Sequence, residues 1–241
     1  MALFSGDGWL FLLRWFHFLA GITWIGMLYY FNFVQTPFFA TAEAPVRSGM
    51  IAGGLVNRAL WWFRWGAMFT FLTGWLMVLH RMAQFGGIRE FLAQPYGISI
   101  FIGGMLGTLM WYNVWFIIWP AQQVVIASAT QVSKGGQAIA QAAARGQRAG
   151  FASRTNTMLS IPMLYFMGAA SHLPWVAQPG RGAKIAMLLL LLIVLVVAEV
   201  NALVGTTGPG KKMLASLKGT FWAGFVLTAI FWIVSVITVR G

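Results

Sequence analysis

Histidine is the residue type in this sequence best suited to chemistry in an apolar environment, and the chain has three: His17, His80 and His172. Each lies within or at the end of a long apolar run. A buried imidazole costs free energy unless its nitrogens are satisfied, so an ionisable residue in such a run is a candidate for function. Two histidines on facing helices can ligate the iron of haem b without cysteine. Cysteine is absent, which excludes disulfides, thiolate metal sites and covalently attached c-type haem.

His17 and His172 are the predicted ligands of a haem iron, and His80 is a further candidate cofactor-binding residue. Gly21 and Trp24 follow His17 at i+4 and i+7 and therefore share its helical face. A small residue one turn away leaves room for a flat macrocycle, on which Trp24 could pack. We therefore predict haem b at this face. The structural alternatives are that His17 hydrogen-bonds a neighbouring helix and that His80 is an interfacial residue.

Glu199 is a carboxylate inside an apolar run, with Asn201 beside it. Arg64 and Lys218 are predicted at a similar depth. An internal ion pair, snorkelling to the interface and a proton relay are all compatible with this pattern. The sequence has no Gly-rich phosphate loop, no metal-binding His pair at helical spacing and no nucleophile elbow, so it predicts no catalytic residue.

A second polar cluster, Arg154 with Thr155 and Asn156, precedes another apolar run. Thr155 or Asn156 could cap the helix that follows. The helix N-terminus and Arg154 together could also attract an anion. Asn113 is expected to be buried in the middle of a helix, where its amide needs a hydrogen-bond partner.

These residues must be positioned by helices that span a membrane. Hydrophobic residues make up 59% of the chain and charged residues 8%, whereas a soluble domain carries about 25% charged residues. A span needs roughly 20 apolar residues, and lipid leaves the backbone few options besides a helix. The sequence therefore predicts an all-α, polytopic bundle, a single membrane domain over residues 1–241. Its spans are predicted at about 9–33, 60–79, 96–119, 157–174, 183–203 and 217–239.

The segment between the third and fourth spans, about 121–154, is long and rich in Ala and Gln. With the third span ending at Pro120, the segment is predicted to be a kinked extension followed by a short helix on the membrane surface. A polar loop is the alternative. Gly103 and Gly107 form a GxxxG pattern that predicts close approach of another helix.

The net charge of +12 comes from 16 basic residues against four acids. On a chain with these apolar runs, it indicates basic loops and anionic lipid, not nucleic acid. More basic residues fall on the side that carries Arg154 and Lys211. That side is predicted to be cytoplasmic in a bacterial inner membrane, with both termini periplasmic. The three histidines then fall in the outer half of the bilayer.

Three stretches resemble the membrane-bound bacterial urate oxidase family: Arg14–Gln35, Asn113–Pro120 and Ser153–Met163. The resemblance covers roughly residues 9–175. It implies an integral membrane domain joined to a C-terminal cytochrome c, which takes electrons from urate oxidation. The pattern His-x3-Gly-x2-Trp-x-Gly of the first span is also similar to the first helix of haem-binding membrane proteins such as the bacterial protoporphyrinogen oxidase.

The chain departs from that family pattern because it has no CxxCH motif. We therefore expect a membrane redox protein that binds haem b and passes electrons to a separate cytochrome or quinone. The alternative is a non-catalytic accessory or scaffold subunit of a larger membrane complex. Either role implies other membrane or cytochrome subunits, or further copies of the chain, as partners in the bilayer. A transporter is less well supported, since a single carboxylate lies inside the predicted spans.

Overall fold

The fold of this protein consists of helices. The structure is a computed structural model that describes residues 4–173 and 180–240. No strand occurs in these residues, which confirms the predicted all-α class. Two π-helical turns, Tyr30–Gln35 and Asn113–Ile118, join α1 to α2 and α6 to α7 without a break. The α-helices are α1 (Gly6–Tyr29), α2 (Thr36–Thr41), α3 (Ala44–Ala52), α4 (Leu55–Gln84), α5 (Ile88–Phe91), α6 (Pro95–Tyr112), α7 (Trp119–Ser133), α8 (Ala142–His172), α9 (Arg181–Leu203), α10 (Pro209–Ala215) and α11 (Leu217–Arg240).

Four of the described helical stretches are long and apolar enough to cross a membrane. They are Gly6–Thr41, Pro95–Ser133, Lys184–Leu203 and Leu217–Val234. The helices α4 and α8 are long enough but fall outside this set, so the predicted number of six spans is not confirmed. Mean hydropathy is low in α8 because its first half is polar, and in α4 because several of its apolar positions are tryptophan.

The helix α8 lies among the others and contacts α6, α7, α9, α10 and α11. Its residues 155–160 are all buried. Thr157 and Ser160 donate hydrogen bonds to carbonyl oxygens within the same helix, at 3.0 and 2.7 Å. A polar helix is tolerated in an apolar bundle in this position, because its hydroxyl and amide groups meet protein instead of lipid.

Glycines let two helices approach the backbone of α8. A Cβ added to Gly103 of α6 would lie 3.3 Å from the Met163 carbonyl oxygen, and one added to Gly224 of α11 would lie 2.7 Å from the Met158 carbonyl oxygen. A Cβ added to Gly107 would lie 3.9 Å from the Met163 side chain. The close approach of another helix that the GxxxG pattern predicted therefore occurs within the chain.

The connection between the third and fourth predicted spans differs from the prediction in two ways. The helix does not end at Pro120, because this proline lies in the first turn of α7, directly after a π-helical turn, where its missing N–H is tolerated. The residues up to Ser133 form the predicted extension. No separate surface helix follows, since α8 is continuous from Ala142 to His172. The predicted end of the fourth span, at Pro174, lies outside the described residues.

Side-chain contacts show that α1 and α8 run antiparallel. The Tyr29 hydroxyl lies 2.9 Å from Ser160 Oγ, and three residues later, in the π-helical turn, Asn32 Nδ2 donates to Ser153 Oγ at 2.8 Å. Residue numbers therefore increase along α1 and its π-helical turn in the direction in which they decrease along α8. The helix α4 also runs antiparallel to α1, because Gly66 lies beside Trp24 and Gly74 beside His17. The three histidines therefore lie toward one end of the bundle, here called the histidine end. Arg154 lies toward the opposite end, here called the arginine end.

Candidate functional site

The imidazole of His17 contacts α4. Its Nδ1 lies 3.1 Å from Thr73 Oγ1, and its Cε1 lies 3.0 Å from the position that a Cβ on Gly74 would occupy. The Thr73 hydroxyl donates to the Phe69 carbonyl oxygen at 2.6 Å, so it accepts from the imidazole. This hydrogen bond selects the tautomer with hydrogen on Nδ1 and leaves a lone pair on Nε2.

The helical face predicted for haem is covered by α4. A Cβ on Gly21 would lie 3.9 Å from the Thr70 side chain, and Trp24 is only 2% exposed because Gly66 of α4 approaches its backbone. A packed helix therefore occupies the room that Gly21 was expected to leave for a macrocycle. The alternative expectation, a hydrogen bond from His17 to a neighbouring helix, matches the structure. Ligation of haem through Nε2 of His17 stays a prediction.

The other two histidines lie at the same end but show no contact with His17 among the described residues. His172 is exposed in the last turn of α8, at about the level of His17, since each lies roughly three helical turns from the Tyr29–Ser160 contact. His80 is half-buried, and its Nε2 has no hydrogen-bond partner in the described part of the chain. Those residues also contain no group of three or more His, Cys, Asp or Glu side chains placed to hold a metal ion.

The arginine end contains a cavity of about 270 Å³. One wall is the π-helical turn Tyr30–Gln35, and π-helical turns are frequent at functional sites. Other walls come from α4, α7, α8 and α10. Two phenyl rings, Phe31 and Phe63, form an apolar part of the lining and pack edge to face at 5.5 Å. The polar lining residues are Asn32, Gln35, Thr36, Gln122, Gln147, Ser153 and Arg154.

Two of the polar lining residues carry atoms without partners. Nη1 of Arg154 and Oε1 of Gln35 are shielded from solvent, and neither forms a hydrogen bond with a described residue. A buried polar group left unsatisfied costs about 1–3 kcal/mol, more when it is charged. Asn32, in contrast, is fixed by hydrogen bonds to the Leu28 carbonyl oxygen and Ser153 Oγ. Because both atoms are shielded even from a water molecule, a ligand in the cavity would satisfy them only after the two side chains turn toward it.

The charge around this cavity is positive. The Arg154 guanidinium keeps its charge even when buried, and no described acidic side chain forms an ion pair with it. Lys211 of α10 is 4% exposed, donates to the Ala202 carbonyl oxygen at 3.1 Å and lies 4.2 Å from the ring of Phe151, a lining residue. The cavity is therefore suited to a small anion.

The burial of Lys211 makes stability depend on pH. Desolvation, followed by the like charge of Arg148, lowers the pKa of Lys211. A lysine whose pKa is lower in the folded than in the unfolded chain destabilises the fold while both states are protonated. This penalty is relieved as the pH rises through the folded-state pKa toward the unfolded value of about 10.4. We expect the melting temperature of the wild type to rise relative to that of Lys211→Met as the pH rises toward about 10.

Thermal melts followed by tryptophan fluorescence in detergent micelles would measure this difference. Lys212→Met is the matched control, because Lys212 is exposed on the same helix. Its melting temperature should follow the wild type at every pH. Parallel pH profiles for Lys211→Met and the wild type would contradict the assignment.

A ladder of buried amides joins α8 to the second π-helical turn. Nδ2 of Asn113 donates to Oδ1 of Asn156 at 3.0 Å, and Nδ2 of Asn156 donates to the Met110 carbonyl oxygen at 2.9 Å. Asn156 is thus the partner that Asn113 was predicted to need. The predicted capping role of Thr155 or Asn156 is wrong. Because α8 begins at Ala142, both residues lie in the middle of the helix, and Arg154 cannot act together with a helix N-terminus.

The predicted ion pair of Glu199 is also not found among the described residues. Arg64 instead lies over aromatic rings, with its guanidinium carbon 3.9 Å from the centroid of Trp119 and 4.9 Å from that of Trp115. Cation–π contacts of this kind stabilise a cation that has no carboxylate. Both Glu199 oxygens are shielded from solvent, and the Asn113 side chain lies beside them.

Comparison with known proteins identifies one family. The chain matches the family described as urate oxidase N-terminal over residues 82–236, which is more than half of its length. No curated protein and no solved structure matches it. The matched region contains Asn113, Arg154 and Glu199, whereas His17 and His80 precede it.

Proposed function

Because the chain belongs to the urate oxidase N-terminal family, we propose that it is the membrane-embedded part of an oxidoreductase whose electrons pass to a separate cytochrome or quinone. The observation that carries the proposal is the cavity at the arginine end, with its unpaired guanidinium. Urate is a planar purine that is an anion at neutral pH. It carries carbonyl oxygens and ring N–H groups around its edge, and such a molecule matches the orphaned groups of the lining.

The side chains of the cavity have complementary roles in this proposal. The Arg154 guanidinium donates to an anionic oxygen of the substrate in a charge-assisted hydrogen bond. Oε1 of Gln35 accepts from a ring N–H. Phe31 and Phe63 cover the ring with apolar surface, while the hydrogen bonds of Asn32 hold the π-helical turn in place. These residues bind and orient the substrate.

Oxidation of the purine releases electrons that require an acceptor. The chain has no cysteine to attach a haem c, so the proposal assigns acceptance of the electrons to a separate cytochrome or quinone. Haem b, if held by Nε2 of His17, would supply a one-electron carrier at the histidine end. The packing of α4 over Gly21 does not fit a macrocycle at that face, and no step above depends on it. A Soret band in the optical spectrum of the purified protein would support the haem prediction, and a spectrum without one would contradict it.

The proposed activity is tested with the protein in lipid nanodiscs. We expect urate to bind in equilibrium dialysis and its ultraviolet absorption to fall when an artificial one-electron acceptor is added. Absence of both binding and oxidation would contradict the proposal. Binding without oxidation, with co-purification of another membrane enzyme, would favour the accessory-subunit alternative.

A further inference from the structure

Arg64 of α4 carries its charge among three indole rings. Its guanidinium carbon lies 3.9 Å from the ring centroid of Trp119, 4.9 Å from that of Trp115 and 5.5 Å from that of Trp65. Nε1 of Trp115 donates to the Arg64 carbonyl oxygen at 3.2 Å, which fixes this ring against α4. The three rings are here called the indole cage. Neither Arg64 nor the indole cage lines the cavity at the arginine end, so they form a separate feature.

The indole cage satisfies the guanidinium only in part. A guanidinium is always charged and carries five N–H donors. The ring faces attract the charge, and Nε is shielded from solvent. Nη1 and Nη2 are not shielded, and neither forms a hydrogen bond or an ion pair with a described residue. The four N–H groups on these two nitrogens are therefore available to an acceptor from outside the chain.

The side chain of Arg64 is directed toward the arginine end. Residue numbers in α6 and α7 increase toward that end, because these helices run antiparallel to α8. The carbonyl oxygen of Arg64 bonds Trp115, whereas its guanidinium lies closest to Trp119, about one helical turn or roughly 5 Å farther along. Long side chains on a helix point toward its N-terminus, and α4 begins at the arginine end.

Exposed apolar side chains form a stripe along α4 beside the indole cage. They recur at helical spacing and are Trp61, Trp62, Phe69, Leu72, Leu76 and Leu79. The exposed Arg58 continues the stripe at the arginine end. A change from apolar to charged residues on a lipid-facing stripe, next to tryptophans, marks the membrane surface. The Cα atom of Arg64 lies about 9 Å deeper than that of Arg58, and its side chain recovers roughly 5 Å of this depth, which brings the guanidinium to the lipid headgroups.

We propose that Arg64 and the indole cage bind the phosphate of an anionic phospholipid in the leaflet at the arginine end. Nη1 and Nη2 donate to two phosphate oxygens in a pair of charge-assisted hydrogen bonds. The rings hold the guanidinium plane in place, and the acyl chains lie along the apolar stripe of α4. An anionic headgroup is preferred to a zwitterionic one, because no amine offsets its charge. The proposal does not depend on the substrate or the cofactor discussed above.

Native mass spectrometry of the full chain in detergent micelles tests this site. The probes are dioleoyl phosphatidylglycerol, which is anionic, and dioleoyl phosphatidylcholine, which is zwitterionic. We expect one phosphatidylglycerol molecule to bind more tightly than phosphatidylcholine. Arg64→Gln should weaken this binding by about 10-fold, the effect of losing one hydrogen bond between charged groups.

Three variants separate the site from the general charge of the arginine end. Arg145→Gln removes the same charge at the same end, from an exposed position on α8, and should bind phosphatidylglycerol like the wild type. Trp119→Leu retains the guanidinium but opens the indole cage, so binding should weaken. Arg64→Lys keeps the charge without the planar fork, so its affinity should be intermediate. Elution volumes that match the wild type would show that the variants are folded.

Two results would overturn the proposal. One is equal affinity of the wild type for the two lipids, and the other is equal phosphatidylglycerol binding by Arg64→Gln and Arg145→Gln. Glycerol 3-phosphate distinguishes a lipid from a free phosphate, because it has the phosphate group without acyl chains. An excess of it should not displace the lipid, and displacement would overturn the assignment to a phospholipid. If Arg64→Gln does not fold, unchanged binding by both Arg64→Lys and Trp119→Leu would overturn the site.

Discussion

Arg154→Gln is expected to weaken binding of urate by about 30-fold or more and to abolish its oxidation at low substrate concentration. Removing one member of a desolvated, hydrogen-bonded charge pair costs about 2–5 kcal/mol, and 1.4 kcal/mol corresponds to a factor of ten. The loss should appear in the dissociation constant, because Arg154 is proposed to hold the anion. Equilibrium dialysis with protein in nanodiscs would measure it directly.

Two further variants separate the charge of Arg154 from its geometry. Arg154→Lys keeps the charge but loses the planar fork of donors, so binding should be intermediate. Arg145→Gln is the matched control, since Arg145 is exposed on the same helix and does not line the cavity. It should bind urate like the wild type. Equal affinities for Arg154→Gln and Arg145→Gln would refute the cavity as the substrate site.

Asn156→Leu is expected to destabilise the bundle by about 2 kcal/mol, which is large for hydrogen bonds between membrane helices. Leucine keeps the branching at Cγ but removes both hydrogen bonds of the ladder. Asn113 is completely buried and would lose its acceptor, and stranding a buried donor adds a desolvation penalty. Reversible unfolding in mixed micelles would give the difference in the free energy of unfolding.

A double-mutant cycle shows whether the ladder is the cause. When both Asn113 and Asn156 are replaced by leucine, no amide is stranded, so the combined loss should be smaller than the sum of the two single losses. Thr108→Val is a useful comparison, because this half-buried hydroxyl bonds Trp75 and the Gly104 carbonyl oxygen outside the ladder. Its effect should add to that of Asn156→Leu. Additive losses at Asn113 and Asn156 would show that the two amides do not act together.

The long helices were predictable because apolar runs of sufficient length leave few alternatives. The run from Ala183 to Leu203 was predicted almost at its observed bounds of Arg181–Leu203. The start of α8 was not predictable, since Ala142–Asn156 is too polar to be recognised as part of a membrane helix. Only the second part of that segment is buried against other helices, and such contacts between distant parts of the chain leave no local pattern.

None of the predicted cofactor-binding residues lines the cavity, and of its lining the sequence singled out only Arg154. Arg154 was recognised because a polar residue beside an apolar run needs an explanation. Gln35 was missed, although Asn32 and Gln35 share a helical face near the end of the first span, a spacing that could have indicated a polar lining. The π-helical turns that shape this region depend on the packing of whole helices, so the sequence contained no direct signal for them.

The histidines illustrate how a residue pattern can fit two kinds of site. The spacing of His17, Gly21 and Trp24 suits a flat cofactor, and it equally suits close contact with a second helix. The structure places α4 on this face, where Gly66 lies against the backbone of Ala20 and Trp24 and Gly74 lies against the His17 imidazole. The position of the partner helix α4 decides between a flat cofactor and a close helix contact at this face. The sequence of the first span does not encode that position.

The burial of α8 has a consequence for how the protein is made. A translocon releases a segment into lipid according to its apolarity, and α8 is less apolar than the four stretches that could cross a membrane. We therefore expect the translocon not to release α8 into lipid by itself. All four apolar stretches contact it, and two of them are synthesised after it. Insertion of α8 should therefore be delayed until these neighbours offer it a protein surface, so a nascent chain truncated before α9 is expected to leave α8 outside the bilayer.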